Sequence, residues 1–150
     1  MEKKILINLL LLAERLKEDI KEDFVKQGKQ SKEFQSASKK EKVKVSLPAR
    51  NMLSVLLDEG RMNQRKLSAK VGVSPQTASE IIKKLEMKAL VIKTNGENNN
   101  EKILTLTEKG ERKAQRYNQF MEELGNKKLQ RLTKEETVVL VELLNKLLGE

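Results

Sequence analysis

One segment near the middle of the chain, residues 63–85, constrains the fold more than any other. Gly72 stands where a first short helix must end, because glycine accepts the left-handed conformation found just past a helix C-terminus. Ser74 and Pro75 then have the residue types preferred at the cap and at the first position of a second helix. That second helix has one apolar stripe, formed by Ala78, Ile81, Ile82 and Leu85. The pattern predicts two helices joined by a tight turn, which is a helix-turn-helix.

The opposite side of the second helix is polar. Amides and hydroxyls can hydrogen-bond to base edges and lysines suit phosphates, so this side is predicted to face the major groove of duplex DNA. An ordinary helical hairpin with a solvated polar side is the alternative. The candidate DNA-contacting residues in and before this helix are Ser74, Gln76, Thr77, Ser79, Glu80, Lys83 and Lys84.

Beyond this helix the helical spacing of apolar residues ends. Residues 90–94 (LVIKT) and 102–106 (KILTL) are short runs rich in apolar and β-branched residues, as short strands are, and the polar segment 95–101 between them predicts a loop. A two-stranded hairpin directly after a helix-turn-helix is a wing, and it must pack one side on the helices because an isolated hairpin is marginally stable. The fold predicted from the sequence is mostly α with a small two-stranded β wing.

The composition of the chain also favours a nucleic-acid partner. The chain of 150 residues has 31 Lys and Arg against 22 Asp and Glu, a net charge of +9, which suits a nucleic acid or an anionic membrane surface. Aromatic residues make up only 3%, which argues against reading single strands by base stacking. Because the sequence has no Cys and no His, it offers no thiol nucleophile, no zinc finger and no common general base. We therefore expect neither an enzyme nor a metal or cofactor site.

The two ends of the chain carry its most apolar helices. A first helix from about Lys3 to Lys26 is predicted by apolar residues that recur every three or four positions. Its apolar run is too short to span a membrane, contains Asn8 and lacks a small-residue cleavage site, so a cytoplasmic protein is expected. Both terminal helices have more apolar surface than one neighbour covers, which predicts a homodimer with two reading helices for two half-sites. The candidate dimerisation residues are Ile5, Leu9, Leu12, Leu16, Leu140, Leu144, Leu147 and Leu148.

These segments divide a single predicted domain, 1–150, into four parts. Residues 1–27 form a dimerisation helix, 28–46 a basic linker, 47–106 the winged helix-turn-helix, and 107–150 further dimerisation helices. The linker contains little to bury, so a solvated tether is expected, although its lysines can add non-specific phosphate affinity.

In its order of motifs the chain resembles the MarR family of bacterial and archaeal regulators. The resemblance runs from the helix at Leu47 to the end of the chain, and the first helix fits by position. It implies an obligate homodimer with winged-helix lobes that represses transcription, often until a small phenolic or other anionic ligand binds between lobe and dimer region. The segments that carry it are 67–79 (LSAKVGVSPQTAS), 84–92 (KLEMKALVI), 106–110 (LTEKG) and 132–136 (LTKEE).

The resemblance also implies roles for individual residues. Ser74, Gln76, Thr77 and Lys84 match positions that face the groove in the family. Family wings usually carry Asp-Arg-Arg, with an arginine that enters the minor groove, where this chain has Asn98, Asn99 and Asn100. Asparagine can hydrogen-bond the floor of the groove but brings no charge, which leaves Lys93 and Lys102 as the candidate cations of the wing. At Glu80, where many members carry arginine, the carboxylate can accept from cytosine N4 or orient a neighbouring lysine.

Other readings of the sequence remain open. The neutral wing and Glu80 are also compatible with a winged-helix module that contacts proteins and has little or no specific DNA affinity. The basic charge and the first helix are compatible with a membrane-surface binder. No effector pocket is marked: Arg15, Arg50 and Tyr117 can line one, but a surface pair or a core position explains each of them as well.

Overall fold

A computed structural model describes residues 1–30, 45–98 and 100–150. Within them the chain forms two compact units, Met1–Leu47 and Pro48–Glu150. The elements, in chain order, are α1 Glu2–Gln30, α2 Leu47–Glu59, β1 Met62–Asn63, α3 Gln64–Val71, α4 Pro75–Met87, β2 Val91–Asn95, β3 Lys102–Leu106, α5 Glu108–Lys128 and α6 Lys134–Leu148. Most of the predicted linker, from residue 31 to 44, lies outside the described residues.

The helix-turn-helix formed by α3 and α4 is confirmed in its local detail. The Asn63 side chain caps α3 by accepting from the backbone of Lys66, and Gly72 ends that helix at φ 70°. Ser74 caps α4 in the same way, with Pro75 at the start of the helix. Between the two helices the buried Ser68 hydroxyl donates to the carbonyl of Val73 at 2.9 Å, which fixes the path of the turn.

The core of this unit lies beneath α4 and the sheet. Its apolar side chains come from every element between α2 and β3, so the wing and the helices share one interior. The largest fully buried side chains are Met52, Leu53, Leu67, Ile82, Leu85, Leu90 and Leu104.

The predicted two-stranded wing is confirmed as the hairpin of β2 and β3. A further short strand, β1, was not predicted and extends the antiparallel sheet to three strands in the order β1-β3-β2. The additional strand β1 pairs Met62 with Leu104 and Asn63 with Ile103. It is only two residues long, too short to show an alternating pattern in the sequence. Its consequence is that the wing, residues 91–106, is joined by hydrogen bonds to the residue that caps α3.

A tight junction connects the end of α4 to the start of α5. Three successive carbonyls all accept from the first residues of α5: Lys88 from Lys109 Nζ (3.1 Å), Ala89 from Thr107 Oγ1 (2.6 Å) and Leu90 from Thr107 N (3.1 Å). Gly110 packs directly against the last of them, since a Cβ built there would lie 2.0 Å from the Leu90 oxygen. Only glycine fits at this position without moving the backbone.

Both terminal helices expose apolar side chains. On α1, Ile5 and Leu12 are 52% and 53% exposed. On α6, which opens with a capping box formed by Thr133 and Glu136, no residue is buried and Leu147 and Leu148 are 69% and 73% exposed. None of the described helices is long and apolar enough to cross a membrane.

Candidate nucleic-acid interface

The outer side of α4 is polar and open to solvent. All of the predicted contact residues in and before this helix are exposed, namely Ser74, Gln76, Thr77, Ser79, Glu80, Lys83 and Lys84. The opposite side is anchored by the buried Ala78, Ile81, Ile82 and Leu85, so the helix cannot turn its polar side inward without exposing that stripe. The structure thus brings these candidates together on one accessible surface.

Hydrogen bonds at the start of α4 give the hydroxyl groups of Ser74 and Thr77 different roles. Ser74 Oγ accepts from the backbone of Thr77 at 3.1 Å and donates to Thr77 Oγ1 at 2.9 Å. Its proton is therefore directed into the helix end. The Thr77 hydroxyl keeps its own proton for an acceptor outside the helix.

A contact that sequence reasoning missed lies on the flank of α4. Gln64, in the first turn of α3, donates from Nε2 to Ser79 Oγ at 3.0 Å. Nothing in the local pattern signals this bond, because the two residues belong to different helices and are brought together by the turn between them. Ser79, predicted as a DNA contact, is consequently oriented by another side chain.

The two lysines of the wing already have partners within the protein. Lys93 forms an ion pair with Glu86 of α4 (3.4 Å), and Lys102 donates to Asn95 across the hairpin (2.6 Å). Asn98 and Asn100 are exposed at the tip, while Asn99 lies outside the described residues. Both lysines remain within the wing predicted to meet DNA, but each must exchange its partner to contact a phosphate.

The loop end of the wing is tied to the residue that caps α3. Asn63 donates from Nδ2 to Glu101 Oε1 at 3.1 Å while its Oδ1 accepts from Lys66 N at 2.7 Å. The chain next to Asn63 carries three exposed cations, Arg61, Arg65 and Lys66, which sequence reasoning did not single out. The signal that identifies them is the local charge, because residues 61–66 contain these three cations and no acidic residue.

A second group of cations lies where α2, the end of α4 and α5 meet. Arg50, Lys88 and Lys113 are half-buried there, whereas Lys109 and Arg116 are exposed. Burial lowers the pKa of Lys113, and nearby Lys88, Arg50, Arg116 and Lys109 lower it further. Burial likewise lowers the pKa values of Arg50 and Lys88. So much positive charge in a partly desolvated place favours an anion.

Polar side chains join α2 to α5 beside this group. Tyr117, which is buried, donates to Asn51 Oδ1 at 2.6 Å, and its pKa is raised by burial against the opposing effect of Arg50. Asn118 accepts from Ser54 at 2.6 Å and donates to Asp58 at 3.2 Å. Of the three residues considered for a pocket, Arg50 and Tyr117 are thus neighbours, whereas Arg15 is an exposed residue of α1.

The first similarity to known proteins concerns the helix-turn-helix and the helix before it. Residues 49–88 match the family model described as winged helix-turn-helix DNA-binding. A search of curated protein sequences finds no match.

The fold is also similar to that of solved structures. It is similar to a MarR family regulator from Listeria monocytogenes complexed with 26mer DNA, at 22% identity and TM-score 0.74, over 95% of this chain and 85% of that one. It is similar also to the MarR family regulator NMB1585 from Neisseria meningitidis, at 19% identity and TM-score 0.69, over 97% and 89% of the two chains. A third is the PcaV transcriptional regulator from Streptomyces coelicolor with its natural ligand, at 21% identity and TM-score 0.67, over 91% and 88%. The chain has the fold of the MarR-family transcriptional regulators, which confirms the resemblance seen in the sequence.

Proposed function

We propose that this protein is a sequence-specific, double-stranded DNA-binding regulator of transcription, a repressor that acts as a homodimer in the cytoplasm. The observation that carries the proposal is the exposed polar side of α4, held outward by a buried apolar stripe and flanked by the wing. That is the arrangement in which a recognition helix enters the major groove. The similar Listeria structure, which contains DNA, supports the same use of the fold.

We expect different tasks for the different residues of this surface. Gln76 and Thr77, in the first turn of α4, should meet base edges, and Glu80 one turn later can accept from cytosine N4. Lys83 and Lys84 supply charge for phosphates. In the wing, Lys93 and Lys102 exchange Glu86 and Asn95 for phosphate oxygens, and the asparagines of the tip contact the groove without charge.

Selection of bound duplexes from a randomised library tests this proposal directly. We expect an imperfect palindrome whose half-sites lie about one helical turn, roughly 34 Å, apart. Affinity for the selected duplex should fall steeply with salt, because each neutralised phosphate contributes about −0.9 to the logarithmic slope. Salt-independent binding would contradict the proposal. Retention of no duplex at all by a dimeric protein would favour the protein-interaction module, which the already paired cations of the wing also suit.

Lys84→Glu provides a matched test of the phosphate contacts. Loss of one phosphate contact should weaken binding to all sequences alike and make the salt slope shallower by about one. The control is Lys127→Glu, the same charge change at an exposed position of α5. Equal losses in the two variants would show that net charge, and not α4, determines affinity.

Homodimer formation rests on the uncovered apolar side chains of α6 and α1. Leu144, Leu147 and Leu148 lie on one side of α6 and are 40% to 73% exposed. Covering a fully exposed side chain of this kind is worth about 1.5–3 kcal/mol, and association costs about 4–15 kcal/mol, so the apolar side chains of both helices are needed to offset the entropy of association. Leu147→Glu should shift the sedimentation velocity towards that of a monomer, whereas Asn145→Glu, beside the apolar stripe, should not.

An anionic or aromatic effector is the third part of the proposal. The half-buried cations around Lys113 provide the electrostatic attraction, and the similar PcaV structure holds a natural ligand. Small aromatic carboxylates should raise the thermal midpoint of the protein and release the selected duplex. Lys113→Met should abolish both effects while leaving DNA affinity without effector unchanged; no response to any carboxylate in the wild type would remove this part alone.

A further inference from the structure

The hydrogen bond between Gln64 and Ser79 determines whether the exposed Ser79 hydroxyl group, on the polar side of α4, offers a proton or a lone pair. Gln64 Nε2 is the donor and Ser79 Oγ the acceptor, 3.0 Å apart. An amide nitrogen can only donate, so a lone pair of the serine oxygen is occupied. The proton of Ser79 is then free to point away from Gln64, towards whatever lies against α4.

Gln64 is itself held in place by the elements around it. It directly follows Asn63, whose two side-chain atoms cap α3 and bond to Glu101 of the wing. Asn63 also pairs with Ile103 in the sheet. Because a helix cap and a strand hold the backbone next to Gln64 in place, the Gln64 side chain starts from a fixed position. A residue that orients another side chain needs such support.

We infer that Gln64 is a positioning residue for DNA specificity: it holds the Ser79 hydroxyl as a hydrogen-bond donor towards the major groove, so that one base pair in each half-site is selected for an acceptor. This inference rests on the proposed function. The acceptors exposed there are purine N7, guanine O6 and thymine O4, while cytosine presents the N4 amino donor. Ser79 should therefore select a purine over cytosine on the contacted strand.

Replacement of the amide by a carboxylate reverses the polarity of this pair. In Gln64→Glu the side chain keeps its shape but can only accept, so the Ser79 proton turns inward to it. The oxygen then presents lone pairs outward and accepts from cytosine N4. One net hydrogen bond corresponds to a change of about three- to tenfold in the ratio of purine to cytosine at that base pair.

The experiment compares selected sequences from the same randomised duplex library for the wild type, Gln64→Glu, Ser79→Ala and the double variant. Gln115→Glu, at an exposed position of α5, controls for the added negative charge. Circular dichroism of each variant verifies the fold. We expect the wild type and Gln115→Glu to share one base ranking, Gln64→Glu to shift one symmetric position towards cytosine, and Ser79→Ala to flatten that position. In the Ser79→Ala background Gln64→Glu should change nothing there.

Failure of this inference and failure of the proposed function would give different results. If the wild type selects a palindrome and Gln64→Glu keeps its base ranking, or shifts it equally without Ser79, the inference is overturned while the proposed function stands. If the wild type selects no common sequence, the proposed function itself fails. A purely structural role for Gln64 would lower affinity for every duplex without reversing a base preference.

Discussion

The contact between Gly110 and the Leu90 carbonyl allows a stability prediction with an internal control. A Cβ added by Gly110→Ala would lie 2.0 Å from that oxygen, 3.0 Å from its carbon and 3.3 Å from Leu106 Cδ2. Because the nearest atom belongs to the backbone, relief requires the start of α5 to move by more than 1 Å, roughly the shortfall from an ordinary contact. We expect a loss of about 2–4 kcal/mol: overpacking costs about 1–3, and disturbance of the Thr107 bonds adds to it.

The control is Gly125→Ala in the same helix, where an added Cβ meets nothing within 4 Å. Alanine is the better helix former, so this variant should gain about 0.5–1 kcal/mol. Urea unfolding followed by far-UV circular dichroism, at one protein concentration, measures both. Equal stabilities for the two variants would refute the argument, since helix propensity affects both residues alike and only the close approach separates them.

Two further predictions concern single side chains. Ser74→Ala should lower the free energy of unfolding by about 1 kcal/mol through loss of the α4 cap, and Ser74→Asn should restore most of it; indifference to both changes in urea titration would remove the capping role. Lys113→Met should stabilise the protein at neutral pH, because the folded state lowers the pKa of Lys113 and so disfavours its charged form. At a pH between the lowered pKa of Lys113 in the folded state and its ordinary value of 10.5, Lys113 is protonated in the unfolded chain but not in the folded one. The free energy of unfolding of the wild type therefore rises with pH across this interval, and the advantage of the variant should shrink there. Thermal midpoints against pH test this, and a constant advantage would contradict it.

The parts of the structure that follow from single residue types were predictable from the sequence. Asn63, Gly72, Ser74 and Thr133 act within one helix end, so their local chemistry determines where α3, α4 and α6 begin or end. The strand β1 was missed because two residues carry no period, and its pairing with β3 is a property of the folded sheet. The sequence likewise contained no sign of which side chains meet across elements.

In the candidate site, too, some features were predictable from the sequence and others were not. Helical spacing is enough to place Gln76, Glu80 and Lys84 on one exposed side. The partners of Ser79, Lys93 and Lys102 depend instead on how α3, α4 and the wing pack, and each partner changes what its residue offers to DNA. The cations around Lys113 are scattered from position 50 to 116, so only the fold reveals their shared environment.

The junction after α4 has a mechanical consequence. The carbonyl groups of residues 88, 89 and 90 each accept a hydrogen bond from Thr107 or Lys109 at the start of α5, and Gly110 packs closely against the last of them. We therefore expect a tilt of α5 to move α4 with it. In the proposed dimer, a small change of angle at α5 would become a change in the separation of the two α4 helices, and the proposed operator would be released through the change in their separation while each helix keeps its shape.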